Sequence, residues 1–454
     1  MSVNHKDQWT CLPPEKERKK RSMSTLTFPS SPVHIQGKRS PVSVLGLCRN
    51  SSVVDSITTP PSKPLDEFSK LVSGFHKVKG VHGSHRGSGS HGFVIRCDSS
   101  IERDDSFYMN RCVELARKAL GFTSPNPMVG CVIVKDGEVV GEGFHPKAGQ
   151  PHAEVFALRA AGSLANQATA YVSLEPCNHY GRTPPCTEAL IQANIKRVVV
   201  GMVDPNPIVA SKGVEKLRKS GIDVTVGVQE ELCQKLNEAY IHRMRTGKPF
   251  VTLRYSLSFN GVLLNEIGEG TADVGGYFSQ LLQQHDGVII SGLDLTNNAL
   301  LLSREIGANQ PVQIIIAKSL ERPLNLSIFR NATTKALVFA EKNAFSGEEI
   351  QMALKNQSIE IVTHDQINMD VVLEQCSKLG LCSVLVDMRG NDIAQSEIIK
   401  QAMKDAMINK VVMEILPVWC NASPGSVDIA RDLKLKDLQT RLSKNSVIVE
   451  GYVS

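Results

Sequence analysis

From Phe107 onward the apolar positions fall into short runs, each closed by a polar or glycine-containing turn. Phe107 to Leu120 carries apolar residues at helical spacing, so the order of the chain is expected to begin near Asp104 with a helix. Val129 to Val134 is a continuous apolar run, followed by the hairpin turn Asp136-Gly137 and a second run, Val139 to Gly143. Val155 to Ala161 returns to helical spacing, Ala170 to Leu174 reads as a strand, and Thr187 to Ala193 as a helix. A strand at Lys196 to Gly201, a helix from Val214 ending on Gly221, and a strand at Ile222 to Val226 complete the series. Strands alternating with helices predict a three-layer α/β domain over residues 104–228. Residues 229–247 read as a helical linker, with the helix running from Glu230 to Arg245. The alternation then resumes over residues 248–454. Strands are predicted at Lys248–Arg254, Gly287–Gly292, Val312–Ala317, Lys335–Ala340, Ile359–Val362, Ser383–Asp387 and Lys410–Leu416.

The chemistry concentrates between the two helices of the first domain. His152-Ala153-Glu154 is followed by Pro176-Cys177 and, nine positions later, Cys186. One histidine and two cysteines make three zinc ligands, which leaves a fourth position for water at a catalytic site. A carboxylate that is not a ligand must move protons between water, a ring nitrogen and a leaving amine, and Glu154 suits that role. H-x-E with a later P-C is the signature of the zinc deaminases, whose second cysteine normally follows after three positions. Helix starts at His152 and Cys186 would favour the thiolate that binds metal. A structural zinc takes four protein ligands, and His179 is the one candidate for a fourth. That reading leaves Glu154 without a purpose.

Composition narrows the alternatives. The chain has 454 residues, room for two or three domains, and a net charge of only +5, which does not call for a nucleic-acid partner. Eleven cysteines, scattered and odd in number, read as mostly reduced thiols rather than a disulfide framework. No apolar run approaches a membrane span. Residues 1–103 are rich in serine, proline, glycine and basic residues, with low-complexity sequence at Gly83 to Gly92. They read as a disordered organelle transit peptide and linker, directing the protein to the plastid stroma.

The first domain resembles the deaminase half of the bifunctional riboflavin-biosynthesis deaminase–reductase family. The resemblance rests on Ser124-Pro125-Asn126-Pro127-Met128-Val129-Gly130, Gly143-Phe144-His145-Pro146-Lys147-Ala148-Gly149, His152-Ala153-Glu154, the long Cys177–Cys186 loop, Asp204-Pro205-Asn206-Pro207 and Lys212-Gly213. It implies a cytidine-deaminase-like α/β/α domain followed by a dihydrofolate-reductase-like α/β domain. The implied activity is hydrolytic removal of the 2-amino group of 2,5-diamino-6-ribosylamino-4(3H)-pyrimidinone 5′-phosphate. One Zn2+ per chain would sit on His152, Cys177 and Cys186, with Glu154 catalytic. Asn126, His145, His179, Arg182, Asp204 and Asn206 occupy matched substrate-contact positions, and Lys147 or Arg182 would take the phosphate. Asn126 and Asn206 also fit ordinary turn chemistry beside proline, and Lys147 a solvated loop.

The second domain departs from the family pattern. Ser258-Phe259-Asn260-Gly261 replaces S-L-D-G, Asn297-Asn298-Ala299 replaces the acidic D-D-P turn, and Asp387-Met388-Arg389 replaces E-G-G. Glycines there would let backbone N–H groups approach a cofactor phosphate, whereas methionine and arginine would obstruct it. The expectation is a reductase-like fold that is non-catalytic and does not use NADP. It would serve stability, homo-oligomer formation or contact with a separate reductase. The competing readings are an intact bifunctional enzyme, a silent scaffold, and a nucleoside or nucleic-acid deaminase. The intact zinc set argues against the scaffold, and the long cysteine loop and near-neutral charge against the last.

Overall fold

In a computed structural model the described residues are 103–180, 184–206, 210–291, 301–317, 334–341, 359–389, 393–421 and 433–454. They fall within a single unit of the chain, Arg96–Ser454. The transit-type segment up to residue 102, and the Asn297-Asn298-Ala299 turn, lie outside them.

Helix α1 (Asp105–Arg117) starts where Asp104 accepts a hydrogen bond from the Phe107 N–H, closing the first turn. β1 (Gly130–Lys135) and β2 (Glu138–Phe144) form an antiparallel hairpin through Asp136 and Gly137, both left-handed as a tight two-residue turn requires. α2 (Ala153–Ala161) follows, then β3 (Thr169–Leu174), α3 (Cys186–Gln192), β4 (Arg197–Met202), α4 (Lys212–Lys219) and β5 (Asp223–Val226). The sheet order is β2-β1-β3-β4-β5, with β3, β4 and β5 parallel. One face packs Ala153, Ala157 and Leu190 of α2 and α3 against Ile133, Val172 and Val198; the other packs Met109 and Val113 of α1 against Val132 and Val199. The uniformly apolar runs of β1, β3 and β4 are explained by burial on both faces. Gly143 of β2 lets α2 sit close: a Cβ there would lie 2.4 Å from the Ala153 carbonyl oxygen.

The linker expected as one helix is two, α5 (Glu230–Leu236) and α6 (Glu238–Thr246). The break falls at Asn237, which is buried and turns its amide to Met128. It accepts from the Met128 N–H at 2.8 Å and donates to the Met128 carbonyl at 2.9 Å. Satisfying that distant backbone pair replaces the helical continuation at this residue.

β6 (Phe250–Ser258), β7 (Leu263–Leu264), α7 (Tyr277–Gln284), β8 (Gly287–Ser291), β9 (Val312–Ala317), β10 (Ala336–Glu341) and β11 (Ile359–His364) open the second sheet. α8 (Met369–Lys378), β12 (Ser383–Asp387), α9 (Ile393–Lys404), β13 (Lys410–Leu416), β14 (Leu435–Ser443) and β15 (Ser446–Val453) complete it. The order is β11-β10-β9-β8-β12-β6-β13-β15-β14, with β7 on β6. The path from β11 to β13 is parallel, and an antiparallel hairpin, β14–β15, closes one edge. At the sheet's centre the buried guanidinium of Arg254 bonds Asp387, Glu414, Tyr277 and Ser256, so one cation faces two buried carboxylates. Met388, expected to obstruct a phosphate, instead packs in the apolar core. Arg389 folds back onto Asp387 at 2.9 Å and onto the Asn265 carbonyl at 3.1 Å.

Candidate metal centre and active site

The donor residues come from two connections, the one before α2 and the one between β3 and α3. His152 precedes α2, Cys186 opens α3, and Cys177 follows β3. His152 Nδ1 lies 3.5 Å from Cys177 Sγ and 3.4 Å from Cys186 Sγ, and the three donor atoms all lie within 4.8 Å of one another. Cys177 is anchored from both sides: the Cys186 N–H donates to its sulfur at 3.3 Å, and the Thr187 N–H to its carbonyl at 3.2 Å. Hydrogen bonding from Cys186, then from His152, pulls the Cys177 thiol well below the usual range. A thiolate near two helix starts with an imidazole beside it is the donor set of a zinc site with one position left over.

Glu154, second in α2, is buried, and its Oε2 has no hydrogen-bond partner. Burial, then the Cys177 charge, pushes its carboxyl up to about 7. An unpaired buried carboxylate oxygen is costly and therefore points to a reacting partner that belongs there. The donor cluster and this orphaned oxygen together fit a catalytic zinc.

Around the cluster, Asn126 Nδ2 lies 3.2 Å from His145 Nε2, and His145 Nδ1 lies 3.1 Å from the Pro151 carbonyl. A carbonyl only accepts, so Nδ1 carries the proton and Nε2 accepts from Asn126. Burial lowers the His145 pKa, consistent with a neutral ring. Its edge meets the His152 ring at 5.3 Å between centroids. Asp204 and His179 line a small cleft with Cys177 and Asn178. Burial raises the Asp204 carboxyl, opposed by the Asn206 N–H that donates to it at 2.9 Å. The Asp204 side chain thus closes this turn onto the Asn206 backbone. Lys147 sits exposed on a turn closed by the Gln150 N–H. Arg182 lies outside the described residues.

Glu175 carries a role that the sequence reading did not assign. Its buried carboxylate accepts from the N–H groups of Asp204 (3.2 Å), Ser211 (2.9 Å), Gly213 (2.8 Å) and Val214 (3.1 Å). Ser211, the residue before α4, makes no side-chain cap, so Glu175 satisfies the helix's first amides and ties the Asp204 loop to the Cys177 loop. Gly213 allows this closeness, since a Cβ there would lie 2.1 Å from the Pro176 carbonyl oxygen. The available signal was an acidic residue closing an apolar strand just before Pro176-Cys177.

Comparison with known proteins agrees with this geometry. Residues 102–202 match the cytidine and deoxycytidylate deaminase zinc-binding region. The chain is 54% identical to the chloroplastic riboflavin biosynthesis protein PYRD of Zea mays, over 79% of this chain and 91% of that one. The chloroplastic PYRD of Arabidopsis thaliana is 46% identical, over 91% and 98%. The chain belongs to the riboflavin-biosynthesis deaminase family, PYRD/RibD. A solved RibD structure from Acinetobacter baumannii superposes with a TM-score of 0.67 at 33% identity, covering 78% of this chain and all of that one. As a family member the chain is a zinc-type pyrimidine deaminase. Its fold is a cytidine-deaminase-like α/β/α domain followed by a dihydrofolate-reductase-like α/β domain. Among the described residues no helix is long and apolar enough to cross a membrane.

Proposed function

We propose that the chain hydrolyses the 2-amino group from 2,5-diamino-6-ribosylamino-4(3H)-pyrimidinone 5′-phosphate, releasing ammonia, in the plastid stroma. The observation that carries the reading is the orphaned Glu154 oxygen beside the His152–Cys177–Cys186 donors. These three side chains would hold one zinc, whose Lewis acidity makes water a nucleophile at neutral pH. Glu154 Oε2 takes one proton from the attacking water and passes it to the ring nitrogen, then takes the remaining proton of the added hydroxyl and delivers it to the amine, which leaves as ammonia while the carbonyl forms. Asn126 and His145 are mutually oriented by their hydrogen bond and hold the polar ring, together with Asp204 and His179 of the small cleft beside Cys177, and with Asn206. Lys147 or Arg182 receives the phosphate dianion. The plastid assignment is supported by the chloroplastic relatives and by the serine- and base-rich first hundred residues.

The second half does not transfer hydride in this reading. Support comes from Asp387, engaged by Arg254 and Arg389 where the family pattern has a carboxylate and two glycines. Support also comes from Asn260, which bonds Ser258 and Cys420 rather than standing as an aspartate.

The test uses the zinc-loaded protein, the ribotide, and ammonia release with and without NADPH, followed by product mass. Ammonia without NADPH and no ribityl product is the expected result. Glu154→Gln should lower kcat by at least ~100-fold while zinc stays at one per chain. A ribityl product with NADPH overturns the silent second half, and no ammonia with zinc bound overturns the substrate.

A further inference from the structure

We propose that Asp286, in the second half of the chain, is a positioning residue for the deaminase site, and that the second half serves catalysis by clamping the loop 121–128. The inference rests on the deaminase reading above.

Asp286 directly precedes β8, and its Oδ2 is shared between the two halves. Ser124 Oγ donates to it at 2.8 Å, the Cys382 N–H at 2.7 Å and the Ser383 N–H at 3.0 Å. One carboxylate oxygen thus joins a hydroxyl of the first half to two amides at the start of β12. Further contacts across the same seam hold the neighbouring residues. Asn309 donates to the Gly121 carbonyl at 2.8 Å, and Cys382 Sγ to the Pro125 carbonyl at 3.7 Å. Gly121 has a φ of +79°, and a Cβ there would lie 2.5 Å from the Gln283 carbonyl oxygen, so the backbones meet directly. At the loop's other end Asn237 grips Met128.

Between the two grips sits Asn126. Its amide bonds His145, and His145 bonds the carbonyl of Pro151, the residue before His152. The path from Asp286 to the donor cluster therefore runs through Ser124, Asn126, His145 and Pro151. Nothing on it touches the proton-moving oxygen of Glu154, so losing the grip should weaken how substrate is held more than how fast bound substrate reacts. A charge-assisted hydrogen bond is the stronger kind, and the carboxylate lets a single atom take these three donors with the Ser383 hydroxyl as a longer fourth at 3.3 Å.

The test is made on the zinc-loaded full chain with Asp286→Ala, Asp286→Asn and Ser124→Ala. Asp286→Ala should raise KM for the ribotide about tenfold, as a lost hydrogen bond to a charged group implies, with kcat within about threefold. Zinc stays at one per chain, and amide exchange over residues 121–128 speeds up while β1 stays protected. Asp286→Asn keeps an acceptor oxygen and should restore most of the KM. Ser124→Ala removes the Ser124–Asp286 bond, leaves Asp286 on the Cys382 and Ser383 amides, and should shift KM and exchange in the same direction with thermal stability unchanged. Unchanged KM and exchange in Asp286→Ala overturn the proposal. So does a joint fall of kcat, zinc content and protection throughout the first sheet, which marks general unfolding. If the unsubstituted enzyme releases no ammonia with zinc bound, the substrate reading fails by itself, and the exchange arm still decides whether Asp286 clamps the loop.

Discussion

Replacing Glu175 tests whether a single carboxylate joins two loops of the site. Its two oxygens serve four backbone donors, and those at Gly213 and Val214 are buried. In Glu175→Ala these two amides lose their partner with no water at hand, whereas Asp204 and Ser211 are nearer the surface. An orphaned amide costs about 1–3 kcal/mol, so the loss should be about 3 kcal/mol. In a chain of this size that lowers Tm by roughly 3–5 °C. Glu175→Gln keeps one acceptor for Gly213 and Val214 but turns an NH2 towards the other two N–H groups, so about half the loss is expected. Thermal unfolding of the zinc-loaded protein gives the first readout, and amide exchange at Gly213 and Val214 the second. The KM should rise as well, because Asp204 sits on the loosened loop. An Ala variant with Tm within about 1 °C of the parent and both amides still protected would refute the reasoning.

Three further outcomes are expected. His285 is buried, donates Nδ1–H to the Leu281 carbonyl and accepts from Thr252, and burial lowers its pKa from 6.5 to about 4. The unfolded chain therefore takes up the proton first. Stability is intact above pH 6.5 and declines as pH falls towards 4, by about 3 kcal/mol in all, and His285→Gln should remove that share of the pH slope. An identical slope in the variant sinks this assignment. Arg254→Met leaves Asp387 and Glu414 facing each other in the core and should cost about 3–5 kcal/mol, seen as lost amide protection of β6, β12 and β13; parent-like protection would contradict it. Removing metal with a strong chelator should abolish ammonia release, with zinc restoring it, and Cys186→Ser should hold far less than one zinc per chain; activity that survives chelation argues against a catalytic metal.

Much of this protein was legible in its residues because the signals are local. Continuous apolar runs marked β1, β3 and β4, since strands covered on both faces have no polar side to show. The convergence of His152, Cys177 and Cys186, with Glu154 two residues from His152, could be anticipated because few residue types suit a zinc site or proton transfer. The edge hairpin β14–β15 gave little sign, as β14 is exposed along nearly its whole length and its Leu435, Leu438 and Leu442 fall at helical rather than strand spacing. The split of the linker at Asn237 was equally hidden, for its cause lies at Met128, more than a hundred positions away.

Sequence by itself determined most strands of the two sheets and the helices of the first half, through local spacing, and its motifs resembled the family to which the chain belongs. The tertiary structure decided which ordinary polar residues matter. Glu175, Asn237, Asp286 and Arg254 look like surface side chains on the page. They become structural anchors only because folding buries them where backbone amides or opposite charges converge. Folding also decided that Met388 faces the core while Arg389 turns back onto Asp387. Burial and convergence depend on contacts between distant segments, and no window of sequence contains them.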